Sequence, residues 1–519
     1  MNNFFIIEVY FIKNYVILLQ TFYIIIMKKN KLLISILLII IIKALFLLTK
    51  HIQEDAFITW RVAQNILDYG VYGFNGDERI SSSTTHLYVF ISIIFKLIFS
   101  ENFIYPLIIF NSIIYTWGTK ILSDILTGND NVKILFIFFA NFLPPAIKIS
   151  ILGMEFGLIF FLYVLFLKYA VLLRRNWAFL LLPILISWTR LDAAMFLLIN
   201  FFYDLFRYRK PNYFFILSGI LSVITILGFN YFYFHEIINN TIVAKRLAYA
   251  NEADNFMSKF IGMLNNTNYY SMLKIPLNIL KINIFLIITI FLSIFSFYKI
   301  SKNLNREQKY ILSIIYTYAW VRMVVFGFAN SWFDWYYWIP QIFMFIPIIL
   351  YFIQDLNKTK IITYIVIFFI PLVAYQTVHS IATGHGEWYY NRKVGLYLDS
   401  IEPDKSKTVF LEPAGYIPYF SKLKAIDYVG LVDKRVLEEF KIKGNNVAES
   451  VIKKYQPDYI LEDNKPMFKG DISIEESSKY KLIKEFHILQ NAKSDNFILD
   501  KIYKLKPSGR DYYLYKRIN

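Results

Sequence analysis

Two adjacent carboxylates, Glu54 and Asp55, follow an apolar run and open a segment reading Glu54-Asp55-Ala56-Phe57-Ile58-Thr59-Trp60-Arg61. A positioned carboxylate can take the proton of a weak nucleophile such as an alcohol. Arg61 lies seven residues after Glu54, so on a helix the two share a face. The segment continues through Gly70-Val71-Tyr72-Gly73-Phe74-Asn75 and Glu78-Arg79 to a hydroxyl cluster, Ser81-Ser82-Ser83-Thr84-Thr85, and then His86. Acids at a helix start are also favoured by the helix dipole, so the pair suits an ordinary cap as well as a catalyst.

Other candidates lie further along. Arg190 and Asp192, in Thr189-Arg190-Leu191-Asp192, interrupt an apolar stretch. Ionisable groups at membrane depth are costly and mark either a functional site or a self-satisfied pair. Glu155 opens the next apolar run and reads as an interfacial cap or a cavity residue. Lys245, in Asn239-Asn240-Thr241-Ile242-Val243-Ala244-Lys245, can pair with an anionic head group as a point charge, or stand as a solvated loop lysine. His235, Asn240 and Thr241 join Glu155 and Asp192 as candidate cavity residues. Asn239-x-Thr241 fits an N-glycosylation acceptor. No phosphate-binding glycine loop, dinucleotide fingerprint or HExxH helix occurs, and the 6 His are scattered. With 0 Cys, disulfides, thiolate metal sites and a cysteine nucleophile are excluded.

These residues must be held by a largely apolar chain. Of 519 residues 57% are hydrophobic, and the mean hydropathy is +0.44; soluble proteins of this length have about 45–50%. Apolar runs of bilayer-crossing length, roughly 20 residues, begin near Leu32, Leu87, Phe103, Val132, Met154 and Trp177. Others begin near Tyr213, Ile282, Tyr310, Trp335 and Ile361. They predict a polytopic α-helical membrane protein with about 10–13 transmembrane helices.

Met27-Lys28-Lys29-Asn30-Lys31 before the first run reads as a start with its positive charges inside. Residues 1–26 are therefore expected to be a non-native extension, residues 27–380 the membrane domain, and residues 50–86 its first outer loop. Arg174-Arg175, Arg207 to Lys210, Lys302 to Lys309 and Lys358 to Lys360 mark the inner side. Both ends of 177–206 are basic, which predicts two half-helices turning at Thr189 to Asp192. Between Leu87 and Ser150 the alternation of sides fails by one pass.

The net charge of +17 is unevenly placed. Residues 381–519 hold 24 Lys+Arg and 20 Asp+Glu, against 31 and 18 in residues 1–380. The charged tail predicts a soluble, extracytoplasmic α/β domain, accessory to the chemistry. Its expected strands are Thr408–Leu411 and Pro457–Leu461, and its expected helices Lys434–Phe440 and Val447–Lys454. Nucleic-acid binding is a poor fit, because no basic face with interleaved aromatics appears outside the short loops.

Glu54-Asp55-Ala56-Phe57-Ile58 with Arg61 resembles the acidic first-loop motif of the GT-C glycosyltransferases, which use polyprenyl-phosphate sugars. Segments in the same order resemble the bacterial branch that includes terminal arabinofuranosyltransferases. They are Asn75 to Thr85, Gly153-Met154-Glu155, Thr189 to Asp192, Tyr231 to Lys245, Trp335-Tyr336 with Pro340, Ala414 to Ile417, and Ala425 to Leu431. The chain departs from that branch in three places. Glu54 stands where Asp is common, Arg190-Leu191-Asp192 replaces Arg-Pro-Glu, and Asn239-Asn240-Thr241 replaces Pro-Asn-Thr.

The resemblance implies an inverting sugar transfer from a polyprenyl-phosphate donor to a hydroxyl of a glycan, glycolipid or protein, on the extracytoplasmic face of a bacterial inner membrane. It implies Asp55 or Glu54 as general base, and Arg61, Arg190 and Lys245 as cations on the donor phosphate. A divalent cation bridging carboxylate and phosphate is left open. The rival readings are a transporter or flippase of lipid-linked sugars and a non-catalytic envelope-assembly subunit.

Overall fold

The computed structural model describes residues 31–248, 284–327, 333–355, 369–443, 447–463, 472–491, 497–505 and 509–518. The expected extension 1–26 and the start at Met27 lie outside them. The first half is helical: α1 (Lys31–Phe46), α2 (Glu54–Tyr69), α3 (His86–Phe99), α4 (Ile104–Leu126), α5 (Asp130–Phe142) and α6 (Pro144–Ile151). Then come α7 (Phe156–Leu165), α8 (Asn176–Thr189), α9 (Ala194–Tyr208), α10 (Tyr213–Phe229) and α11 (Asn240–Ala248). After these follow α12 (Ile284–Asn303), α13 (Arg306–Gly327), α14 (Trp338–Asp355) and α15 (Ile370–Gly386). Nearly every side chain of α7 is buried, as suits a helix that is apolar all round.

Among the described residues four helical segments are long and apolar enough to cross a membrane: Lys31–Thr49, Tyr213–Phe234, Arg306–Gly327 and Asp334–Gln354. A fifth counts if α5 and α6, bent by 71°, form one span. The bend falls at Leu143, whose position before Pro144 disfavours the helical region; its ψ is 140°. It lies within the interval where the alternation of sides fails. The expected 10–13 spans refer to the whole chain, and the runs starting near Ile282 and Ile361 begin outside the described residues. The apolar segments Phe156–Leu172 and Asn176–Thr189 fall short of the length, while α4, with 23 residues, buries a polar face of Asn111, Ser112, Thr116, Thr119 and Ser123. The stretch 177–206 does break in two: α8 ends at Thr189, Leu191–Ala193 forms one 3₁₀ turn, and α9 follows.

The tail is an α/β unit: α16 (Arg392–Ile401), β1 (Thr408–Leu411), α17 (Tyr416–Ser421), β2 (Lys424–Asp427), α18 (Lys434–Lys443) and α19 (Val447–Tyr455). It ends with β3 (Tyr459–Asp463), β4 (Tyr480–Phe486), α20 (Phe497–Leu505) and β5 (Tyr512–Arg517). The strand order is β2-β1-β3-β5-β4, parallel from β2 to β3 and antiparallel thereafter. The expected strands and helices at 408–411, 434–440 and 447–454 fall on β1, α18 and α19, and β3 starts two residues later than expected.

Side chains alternate across β1. Phe410 packs with Ile426, Ile460, Val436 and Val451 on one face. Val409 and Leu411 point the other way, into a cluster that includes Ile58, Phe74 and Ile80 from α2 and the segment after it. The first loop therefore completes the core of the tail domain.

Candidate active site

The two faces of α2 have different neighbours. Glu54 points toward the tail domain, where its Oε1 accepts hydrogen bonds from the backbone N–H of Gly415 at 2.6 Å and of Tyr416 at 2.8 Å, at the start of α17. A side chain at Gly415 would run into the backbone and carboxylate oxygens of Glu54, so only glycine permits this approach. Burial pushes the Glu54 carboxyl up to about 7, although the bonds from Tyr416 and Gly415 favour its charged form.

Arg61, two turns on, lies along the same seam. Its guanidinium donates to the carbonyls of Phe74 at 2.7 Å, Leu423 at 2.6 Å and Pro418, and to Asn75 Oδ1 at 3.4 Å. Asn75 in turn pairs with the backbone of Ala425, accepting from its N–H and donating to its carbonyl, both at 3.0 Å.

Asp55, Ile58 and Thr59 line a cavity of about 460 Å³. Its other walls come from Ser82 to Thr85, from Met154 and Glu155, from Arg190 to Asp192, and from α11 through Thr241, Ile242, Lys245 and Arg246. Phe326, Trp335, Tyr336 and Leu431 complete it. Gly153 sets one wall: with φ +81° it turns the chain where a Cβ would stand 2.8 Å from the Trp60 ring, bringing Met154 and Glu155 to the cavity.

One side of the cavity is an ionic network. Arg190 contacts Glu155 and forks onto Asp192, with Nε to Oδ1 at 2.8 Å and Nη2 to Oδ2 at 3.0 Å. Arg322 of α13 holds the far side of Asp192, donating to Oδ2 at 2.5 Å and to the backbone carbonyl at 3.0 Å. Two carboxylates and two guanidinium groups offset one another. Bidentate pairing of this kind fixes geometry as well as charge.

Asp55 and Lys245 differ from that network. Asp55 makes no side-chain hydrogen bond or ion pair among the described residues, and neither does Lys245 pair with a carboxylate there. The Lys245 ammonium meets the Tyr336 hydroxyl at 3.2 Å and lies 4.3 Å from the Phe333 ring centre and 5.9 Å from that of Trp335. Burial pushes the Asp55 carboxyl above its ordinary value, while Lys245 and, less strongly, Arg190 pull it back. Among the described residues the cavity thus holds a carboxylate with no side-chain bond and a lysine with no carboxylate partner.

Two hydroxyls in the wall also lack partners. Ser82 is 3% exposed and Thr241 7%, and neither side-chain oxygen has a hydrogen-bond partner among the described residues. Leaving such a group unsatisfied costs about 1–3 kcal/mol. Their neighbours are satisfied: Ser81 accepts from Asn239 Nδ2 at 2.6 Å, and Ser83 and Thr85 bond each other at 3.0 Å.

Several sequence expectations change. Arg61, expected on a donor phosphate, is not at the cavity, because backbone carbonyls of the seam claim its donors. Glu54, expected as an alternative base, is held in that same seam. His235, expected in the cavity, is exposed, has φ +58° and lies outside the lining. Asn240 stands behind the wall, donating to the carbonyls of Gly430 at 2.8 Å and Leu431 at 3.1 Å. Asn239 is buried against Ser81, which leaves no room for a glycan.

The tail reaches the cavity, where Leu431 is part of the wall. Asp427 Oδ2 fixes that turn by accepting from the Leu431 N–H at 2.6 Å, and Gly430 takes φ +77°. Arg322 was missed, as was the ion pair of Lys148 with Asp334. The usable signal was the same one that marked Arg190: a charge inside an apolar run.

Glu155 and Asp192 line the cavity with Asp55, but among the described residues no three His, Cys, Asp or Glu side chains gather as a metal site. No curated protein matches the chain. A family model described as a domain of unknown function (DUF8728) matches residues 376–515, which spans the end of α15 and the tail domain.

Proposed function

We propose that the chain is an integral membrane glycosyltransferase of the GT-C type, moving a sugar from a polyprenyl-phosphate donor to an acceptor hydroxyl on a glycan, glycolipid or protein of the cell envelope. The observation that carries this reading is the presence in one cavity of Asp55, a carboxylate with no side-chain bond among the described residues, and Lys245, a cation with no carboxylate partner among them. The membrane part is read as crossing the bilayer many times, with the cavity and the tail on the extracytoplasmic face of a bacterial inner membrane.

Asp55 takes the proton of the acceptor hydroxyl as its oxygen attacks the anomeric carbon. The bond from that carbon to the phosphate oxygen breaks, and its electron pair leaves with the lipid phosphate. Attack from the face opposite the phosphate inverts the anomeric centre. Charge grows on the phosphate during the step, and preplaced cations there stabilise it. Lys245 is assigned that role, with Arg246 beside it on α11. Arg190 serves as the rigid centre of the Glu155–Asp192–Arg322 network, steering Asp55 electrostatically rather than offering an open donor fork.

The test is Asp55→Asn in the full chain reconstituted in lipid, with polyprenyl-phosphate binding and sugar transfer measured together. Retained binding with transfer lost by roughly 100- to 10,000-fold fits a general base. Unchanged transfer removes Asp55 from that role. Carriage of lipid-linked sugar across the bilayer with no transfer in the unsubstituted chain would favour the flippase reading.

A further inference from the structure

The mechanism leaves unused the two buried hydroxyls that face the cavity, Ser82 and Thr241. They come to one cavity from distant parts of the chain: Asn239 Nδ2 donates to Ser81 Oγ at 2.6 Å, which ties the two segments together, and Ser82 and Thr241 both line the wall. Many buried hydroxyls in the described helices are satisfied by the carbonyl four residues back, as Ser92, Thr116, Ser150 and Thr189 are. Others such as Ser112, Ser296 and Thr383 have no partner among the described residues, but of these residues only Ser82 and Thr241 leave an unpartnered buried side-chain atom in the wall of this cavity. Thr241 lies in the first turn of α11, and the carbonyl four residues back, that of Ile237, already accepts from Asn230 at 3.2 Å. Ser82 lies outside any helix. Its neighbours Ser81, Ser83 and Thr85 all have partners, so of these serines and threonine Ser82 is the one left with an open hydroxyl.

We propose that Ser82 and Thr241 form a subsite for the ring hydroxyls of the carried sugar, an assignment that rests on the sugar-transfer reading above. Three features fit. Each hydroxyl both donates and accepts, the match for another hydroxyl rather than for a charged group. Thr241 and Lys245 are four apart on α11, one turn along the same face, and both line the cavity, so a phosphate at Lys245 leaves the sugar joined to it within the same space. The subsite also lies in the same cavity as Asp55, so a sugar bound here presents its anomeric carbon between base and cation. A pocket built to bond a hydroxyl discriminates strongly against ligands that lack it, because the protein group is then left unpaired.

The experiment uses the full chain in lipid nanodiscs and three probes: polyprenyl phosphate, polyprenyl phosphoglucose and polyprenyl phosphoarabinofuranose. At least one sugar-bearing lipid is expected to bind the unsubstituted chain more tightly than the bare phosphate does. The combined Ser82→Ala and Thr241→Val substitutions should reduce that preference by about 10-fold or more while leaving the bare phosphate unaffected, which also shows that the variant is folded. Thr241→Ser should retain the preference. Lys245→Ala should weaken all three probes in parallel. The assignment is overturned if no sugar-bearing lipid is preferred, if the preference survives both substitutions, or if the bare phosphate weakens as much as the sugar-bearing lipids do, which would make the hydroxyls phosphate ligands. Failure of all three probes to bind the unsubstituted chain would instead remove the polyprenyl-phosphate reading itself.

Discussion

Two polar zones lie back to back on α2, and they differ in how completely they are satisfied. In the seam with the tail domain, Glu54 receives two backbone N–H groups, Arg61 reaches three carbonyls, and Asn75 pairs with Ala425 in both directions. In the cavity, among the described residues, Asp55 makes no side-chain bond and the hydroxyls of Ser82 and Thr241 have no partner. Buried polar groups in folded proteins are almost always hydrogen-bonded, so the exceptions ask for an explanation. Here the contrast separates groups that hold the molecule together from groups available to a ligand, and it does so between residues adjacent in sequence.

The contrast is tested most sharply at Asp55 and Glu54 together. Asp55→Asn should lower transfer by roughly 100- to 10,000-fold, whereas Glu54→Gln, which keeps an oxygen for the Gly415 and Tyr416 N–H groups, should change it little. Equal losses in kcat would erase the distinction between seam and cavity. Arg61→Met should act on stability instead. It strands several buried carbonyls at about 1–3 kcal/mol each, so the thermal unfolding temperature in nanodiscs should fall clearly. Protein that remains folded should bind polyprenyl phosphate as before.

Lys245→Ala should move a pH profile. Lys245 lowers the Asp55 carboxyl from the raised value that burial gives it, so its loss lets that value rise further. The acidic limb of kcat/KM should then shift to higher pH, beyond the weaker phosphate binding; an unmoved limb would place the two groups out of electrostatic reach.

The smallest effect concerns Glu54. Its carboxyl is raised from 4.5 to about 7 in the folded chain, so between those values the folded state binds the proton that the unfolded chain has released. Stability contributed by this group is full below pH 4.5 and declines as pH rises through 7. Unfolding temperatures should show a decline across that window that is reduced in Glu54→Gln.

Local patterns carried much of this into the sequence. The break at Thr189 to Asp192 was legible because two charges interrupt an apolar run, and β1, α18 and α19 because their patterning is regular. The shared face of Glu54 and Arg61 was legible too, from helical spacing alone. What that face meets was not, since Pro418 and Leu423 lie 357 and 362 residues from Arg61. The choice between Glu54 and Asp55 depended on the same distant contact. Apolar content alone does not show length or a polar face: α8 is a short apolar helix, and α4 buries a row of Asn, Ser and Thr.

The shared core of the first loop and the tail has a consequence for biosynthesis. Asn75 and its partner Ala425 are 350 residues apart. Translation at about 5–20 residues per second leaves on the order of tens of seconds between the making of the loop and of the sheet it joins. Throughout that interval Ile58, Phe74 and Ile80 have no β-sheet to cover them. The nascent chain must be shielded by lipid, by its own helices or by a chaperone. A pause or truncation between residues 386 and 408 would leave an apolar loop exposed in a chain whose helices up to α15 are already made, the kind of half-finished product that quality control removes.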